Sequence, residues 1–250
     1  MKLCALLAGI LAVATPPLPA ALTPAAAPTP RAPTPETVVL LHGLGRTGGS
    51  MWWLARSLRR EGYRVVTPSY PWRTQSLEKL AGTWLPAQLA AHADAPRIHF
   101  VTHSMGGIVV RAWLRECGAP ANLGRTVMLA PPNAGSEIPD RLAGFAPFRW
   151  LVGGNGPRLG TAPDSLPRSL GPWPSGAGDL GIIAGDRPTP GLVNNWLPAP
   201  HDGKVSVAST HLAGERAHVT LPYSHTWLGW HRATAVRVGR FLREGRFAPE

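Results

Sequence analysis

Apolar positions along the chain fall into short continuous runs separated by longer periodic segments. The runs are TVVLLH (37–42), YRVVTPSY (63–70), RIHFVTH (97–103), RTVMLAPP (125–132), LGIIAG (180–185) and ERAHVTLP (215–222). Short apolar runs rich in β-branched residues predict strands. Most lack a polar alternation, which predicts strands buried on both faces, as in a parallel sheet. Between them SMWWLARSLRREG (50–62), SLEKLAGTWLPAQLAAHA (76–93), MGGIVVRAWLREC (105–117) and TWLGWHRATAVRVGRFLREG (226–245) have helical spacing. Ser50 can cap the first of these and Gly62 can stop it. Pro86 predicts a break or kink in the second. The alternation predicts an α/β fold, with a mostly parallel central sheet and helices on both faces.

Two stretches break the rhythm. Residues 15–36 are rich in Pro, Ala and Thr and cannot bury a core, so they read as a semi-rigid extended linker. The folded domain is expected to run from 37 to 250. Residues 136–178 are rich in Gly, Pro, Trp and Phe without a period. They follow a strand end, where ligands of α/β folds bind, and are expected to form a cap or long loop over a pocket.

The N-terminus changes the picture of where the domain works. A Lys at position 2 precedes an apolar stretch, residues 3–14. That is shorter than the roughly 20 apolar residues of a spanning helix, but it suits a secretory leader. Small-residue sites end at Ala14 and Ala20. Residues 1–20 are therefore expected to be a signal peptide, 21–36 the linker, and the protein secreted or periplasmic. Cys4 lies before the apolar stretch rather than after it, which argues against a lipoprotein. With the leader removed, Cys117 is the single cysteine, expected as a small buried apolar group at a helix end.

The 25 Lys and Arg exceed the 14 Asp and Glu, giving a net charge of +11. The excess is arginine, since lysine occurs only at Lys2, Lys79 and Lys204. The arginines are scattered, with no dense basic run and no zinc-ligand spacing, so nucleic acid is not an expected partner. Weak contact with an anionic membrane surface is compatible with the charge. A monomer is expected.

Chemistry concentrates in VTHSMGGIVVRAWL, 101–114. Ser104 follows a strand directly and opens a helix, the context of a nucleophile elbow. There the serine is exposed above the sheet edge, and the helix N-terminus stabilises negative charge. The alternative is that Ser104 merely caps the helix, but capping does not account for Gly106 and Gly107.

HSMGG, with LLHGLG upstream, resembles the α/β-hydrolase superfamily, most closely its small bacterial lipases and esterases, over 37–250 in order of elements. Thr102 stands at the first glycine of the family's Gly-x-Ser-x-Gly, making the elbow more crowded. The resemblance implies an α/β-hydrolase fold and an oxyanion hole formed by the backbone N–H groups of Leu44 and Met105. It implies the chain order Ser, acid, His. His225, after a strand and a short loop, is then the base, with His211 second. His42 would brace the loop after the first strand. His103 would point away from Ser104, His218 lies in a strand, and His231 lies on a helix face. Two acids compete. Asp186 directly follows the strand 180–185. Asp202 lies in HDGKVSVAST, similar to an Asp-x-x-Val-x-x-x-Ser stretch of small bacterial lipases, and is favoured. LAPPNAG (129–135) resembles a family turn without catalytic residues.

Among the tryptophans, Trp52, Trp53, Trp72, Trp150, Trp173, Trp196, Trp227 and Trp230 are expected near the pocket end or in loops, and Trp84 and Trp113 in the core. The implied activity is hydrolysis of a small-molecule or lipid carboxylic ester by Ser104, His225 and Asp202, with no metal or cofactor. An acyltransferase or amidase would use the same residues, and a non-catalytic lipid-binding module is the rival from another class.

Overall fold

The computed structural model describes residues 35–191 and 194–248. The expected signal peptide and all but the last two residues of the linker lie outside them. Six parallel strands form one sheet in the order β2-β1-β3-β4-β5-β6. They are β1 (Thr37–Leu41), β2 (Arg64–Val66), β3 (Ile98–His103), β4 (Leu123–Leu129), β5 (Leu180–Gly185) and β6 (Ala217–Leu221). The main helices are α1 (Trp52–Arg60), α2 (Leu77–Lys79), α3 (Leu85–Ala90), α4 (Met105–Cys117), α5 (Glu137–Leu142), α6 (Ala146–Val152), α7 (Leu166–Ser169), α8 (Val207–Thr210) and α9 (Arg232–Glu244). The expected mostly parallel sheet with helices on both faces is thus present.

The continuous apolar runs arise because alternate residues of each strand serve two cores. Val39, Leu41, Phe100, Met128 and Ile182 face one cluster, with Leu77, Leu80 and Leu85 and the Ile108 side of α4. Val38, Leu40, Val101, Val127 and Ile183 face the other, with Leu54 and Leu58 of α1 and Val238 and Phe241 of α9. Burying each such side chain contributes about 1.5–3 kcal/mol relative to exposure. The strand ends shift slightly from expectation. The folded unit already includes Glu36, whose carbonyl accepts from Arg64 N–H (3.0 Å) and whose carboxylate meets His99 Nε2 (3.1 Å).

The break expected at Pro86 takes the form of a π-helical turn, Leu80–Trp84, between α2 and α3. Proline offers no N–H to the carbonyl four residues back, and Leu85 N–H bonds Leu80 O instead. The closing helix starts later than its apolar spacing suggested, with a 3-10 turn Leu228–Trp230 before α9.

Residues 136–178 are not one irregular loop. They hold α5, α6 and α7, of six, seven and four residues, too short to display a helical period. Ser136 caps α5 by accepting from Ile138 N–H, and α6 and α7 each carry proline in the first turn. The segment is tied to residues 72–78. Asn155 accepts from Leu77 N–H and donates to Trp72 O and Gln75 O, and Arg158 pairs with Glu78.

Two expectations are corrected. Cys117 is exposed, because α4 ends there and its last turn leaves the core. Trp173 is buried in the first cluster, with its indole N–H on Gly178 O (2.9 Å), rather than lining a pocket.

The junction of β3 and α4 depends on close backbone approach. A Cβ on Gly106 would lie 2.6 Å from Leu41 O and 2.9 Å from His42 O, both of the first strand and its exit. One on Gly107 would meet Met128 Sδ at 3.0 Å and Thr102 Oγ1 at 3.3 Å. Gly106→Ala should therefore cost about 1–3 kcal/mol, the usual penalty of overpacking. Gly144→Ala, where an added Cβ meets nothing within 4 Å, should stay within about 0.5 kcal/mol of wild type. Urea unfolding checks both, and equal midpoints for the two variants would remove the steric argument.

Candidate active site

The C-terminal ends of β1, β3, β5 and β6 carry the candidate residues to one edge of the sheet. Ser104 leaves β3 with φ 53° and ψ −124°. Positive φ is rare for a residue with a Cβ and costs about 1–3 kcal/mol, retained where the surroundings enforce it. Ser104 N–H donates to Leu129 O at 2.8 Å, locking the turn to β4. Its side chain makes no capping bond to α4, so the helix-capping alternative does not describe it. Gly43 leaves the space it needs, since a Cβ there would sit 3.1 Å from Ser104 Cβ and 2.9 Å from His103 Nδ1. Thr102, in the motif's first glycine position, is fully buried, and its hydroxyl has no partner among the described residues.

Ser104 and His225 line one cavity of about 830 Å³, within the usual range of roughly 300–1,000 Å³ for small-molecule sites. His225 is held at three points. Its Nδ1 is 2.7 Å from Asp202 Oδ2, its N–H donates to Asp202 O at 3.0 Å, and its carbonyl accepts from His103 Nε2 at 2.9 Å. With Nδ1 carrying the proton towards the carboxylate, Nε2 is left as an acceptor, and it has no partner among the described residues.

Asp202 is buried. Its Oδ1 accepts from Lys204 N–H (2.9 Å) and Val205 N–H (2.8 Å), which closes its turn and leaves Oδ2 for His225. The rival acid is elsewhere. Asp186 N–H bonds Leu221 O, and its carboxylate lies 3.9 Å from Arg187. Gly185 lets Asp202 pack against the end of β5, because a Cβ there would meet Asp202 Cβ at 2.9 Å and Tyr223 O at 2.3 Å.

The Leu44 and Met105 N–H groups have no acceptor among the described residues, and Leu44 lines the cavity. His42 is buried beneath that loop. Its Nε2 accepts from Tyr70 N–H (3.3 Å), its Nδ1 reaches Gly43 O (2.9 Å), and its ring stacks on Tyr70 at 4.1 Å. This is the bracing position expected of it. His211 pairs with Glu215 and stacks on His218, apart from the cavity lining, and His231 stacks on Tyr223.

The sequence reading missed His103. Expected only to point away from Ser104, it packs on His225 with ring centroids 4.8 Å apart. Thr102 takes the α4 face of β3, so His103 takes the other, beneath the loop after β6. The period of the strand could have indicated the face, but nothing local indicates what covers it. Among the described residues no group of three or more His, Cys, Asp or Glu could hold a metal ion, and no helix is long and apolar enough to cross a membrane.

A family model described as the alpha/beta hydrolase family matches residues 38–246. No match is found among curated proteins. Solved structures with a similar fold include Bacillus licheniformis lipase BlEst2 in mature form (TM-score 0.60, 18% identity, 78% of this chain and 88% of that one). Others are Bacillus subtilis carboxylesterase CesB (TM-score 0.53, 14%, 84% of each chain) and Legionella pneumophila phospholipase PlaB (TM-score 0.57, 20%, 70% of this chain and 45% of that one). At these identities the likeness is one of fold.

The histidines make stability depend on pH. Burial holds His42 below the usual imidazole range, and burial plus the neighbouring His225 holds His103 well below it. Burial also lowers His218 to about 4. Below about pH 6.5 the unfolded chain takes up protons that the folded chain refuses, so stability falls as pH falls through that window. Urea midpoints should drop between about pH 7.5 and about pH 5, and less steeply in His103→Gln. Parallel slopes for the two proteins would show that His103 is not held neutral.

Proposed function

The chain belongs to the alpha/beta hydrolase family, and from that premise we propose that it is a serine hydrolase cleaving carboxylic esters with an apolar acyl part. The observation that carries this reading is the buried 2.7 Å contact of Asp202 with His225, whose free Nε2 shares a cavity with the strained Ser104. The apolar side chains of Trp72, Ile138, Phe148, Leu151, Val152 and Leu159 on the cavity wall favour an acyl chain.

In this mechanism the Ser104 hydroxyl attacks the ester carbonyl as His225 Nε2 takes its proton. Asp202 keeps Nδ1 protonated and stabilises the imidazolium. The tetrahedral oxygen receives the Leu44 and Met105 N–H groups, fixed before the reaction starts. The carbon–oxygen bond to the alcohol then breaks, and His225 returns the proton to it. Water activated by His225 releases the acid from Ser104.

Ser104→Ala should abolish hydrolysis of p-nitrophenyl esters, short- and long-chain alike. Asp202→Asn should lower kcat by about 10⁴-fold, the scale expected when the histidine loses its orienting carboxylate. Asp186→Asn should change it by less than about tenfold. Wild-type protein inactive on every ester, or equal losses in the two aspartate variants, would overturn the assignment.

A further inference from the structure

The ester-hydrolysis mechanism leaves the charge of the cavity unused. Arg46 and Lys204 both line it, and no Asp or Glu does. Each belongs to a loop already committed to the site. Arg46 lies two residues after Leu44, and Lys204 two residues after Asp202. Neither makes an ion pair or a side-chain hydrogen bond among the described residues. Several other arginines are engaged. Arg125 meets Asp179, Arg158 pairs with Glu78, and Arg73, the third cation on the lining, donates to Trp150 O and lies over its ring.

The nearest acid is Asp202, whose oxygens are taken by His225 and by two backbone N–H groups. Lys204 is exposed, and partial desolvation and the Arg46 charge hold its ammonium below its usual value, with the Asp202 carboxylate acting in the opposite sense. Two cations on one cavity wall, whose neighbouring acid Asp202 is already engaged, can gain from a bound anion, and phosphate suits them, since arginine donates to it in a fork and lysine meets it as a point charge. The cap side of the same cavity, with Phe148, Leu151 and Val152, is apolar. The lining is therefore amphiphilic.

We propose that Arg46 and Lys204 form an anion subsite beside Ser104 and His225, and that the substrates are glycerophospholipids carrying a negatively charged phosphate. This rests on the ester-hydrolase reading and adds the substrate class. The acyl chain lies against the cap, and the phosphate meets the two cations. The acyl carbon–oxygen bond breaks, water is consumed, and a fatty acid and a monoacyl phosphate lipid leave. The phosphoester bond stays intact.

The test uses water-soluble dihexanoyl phosphatidate and dihexanoylglycerol, which differ by the phosphate and avoid a lipid surface. Wild type should favour the phosphatidate by at least about tenfold in kcat/KM, chiefly through KM. Arg46→Gln with Lys204→Met should bring the ratio near one. Arg46→Lys, which keeps the charge, should retain the preference, and raised salt should weaken it.

Calorimetry on Ser104→Ala supplies a readout without turnover. It should bind the phosphatidate about tenfold more tightly than dihexanoylglycerol, and the two charge substitutions should erase the difference. Equal binding of the two lipids, or a preference that survives both substitutions, would overturn the subsite. Selective binding without hydrolysis of either lipid would overturn the ester-hydrolase reading and leave the subsite standing.

Discussion

The contact of α4 with the exit of β1 is the constraint on which the site depends. At Gly106 the two backbones approach so closely that a single methyl group would meet Leu41 O at 2.6 Å. That approach brings the N-terminus of α4 beneath the turn at Ser104. It also sets the loop after β1, whose Leu44 N–H has no acceptor among the described residues, along the cavity. Backbone strain at Ser104 follows from the same requirement. The chain must reverse within one residue to pass from the sheet edge into a helix packed against the sheet, and the hydrogen bond to Leu129 O holds it there. The two cores on either side make this arrangement cooperative. The strain is small beside the apolar area that the sheet and its helices bury.

The second half of the site is assembled by a different device. Asp202 and His225 lie on separate loops after β5 and β6, yet side chain and backbone both join them. The acid's own turn uses one carboxylate oxygen, so the other has a single direction left to it. Gly185 keeps the end of β5 from intruding. His103 closes the remaining degree of freedom by donating to the His225 carbonyl. The imidazole is thus oriented by Asp202 at its ring and amide and by His103 at its carbonyl.

How far this was legible in the sequence follows from the range of each interaction. The β3–Ser104–α4 junction is local, so strand, serine and helix stand in consecutive residues, and the boundaries of α4 and β5 could be read directly. The pairing of Asp202 with His225 spans separate loops. Residue pattern alone left Asp186 open, because Asp186 occupies the simpler position after β5, and only the turn geometry distinguishes them. The contact of His103 with His225 escaped for a related reason: its partner is 122 residues away. The helices within 136–178 were illegible for another reason, since helices of four to seven residues cannot display a period, and their order comes from Asn155 and Arg158 reaching residues 72–78. Cys117 shows the limit of apolar pattern at a helix end, where one more turn of α4 carries the side chain clear of the core.

Charge ties the two halves together. In the proposed mechanism His225 becomes cationic while an oxyanion forms near the Leu44 and Met105 N–H groups. Arg46 and Lys204 favour the second charge and oppose the first. Asp202, buried and directed at Nδ1, offsets that opposition where it is greatest. His103 adds nothing to it, because burial keeps the ring neutral although it packs 4.8 Å from His225. Were His103 exposed enough to protonate, a second imidazolium would stand against the first. Its burial under the loop after β6 is therefore as much an electrostatic requirement as a packing one, and a bound anion at Arg46 and Lys204 would lower the remaining cost of the imidazolium in the same way.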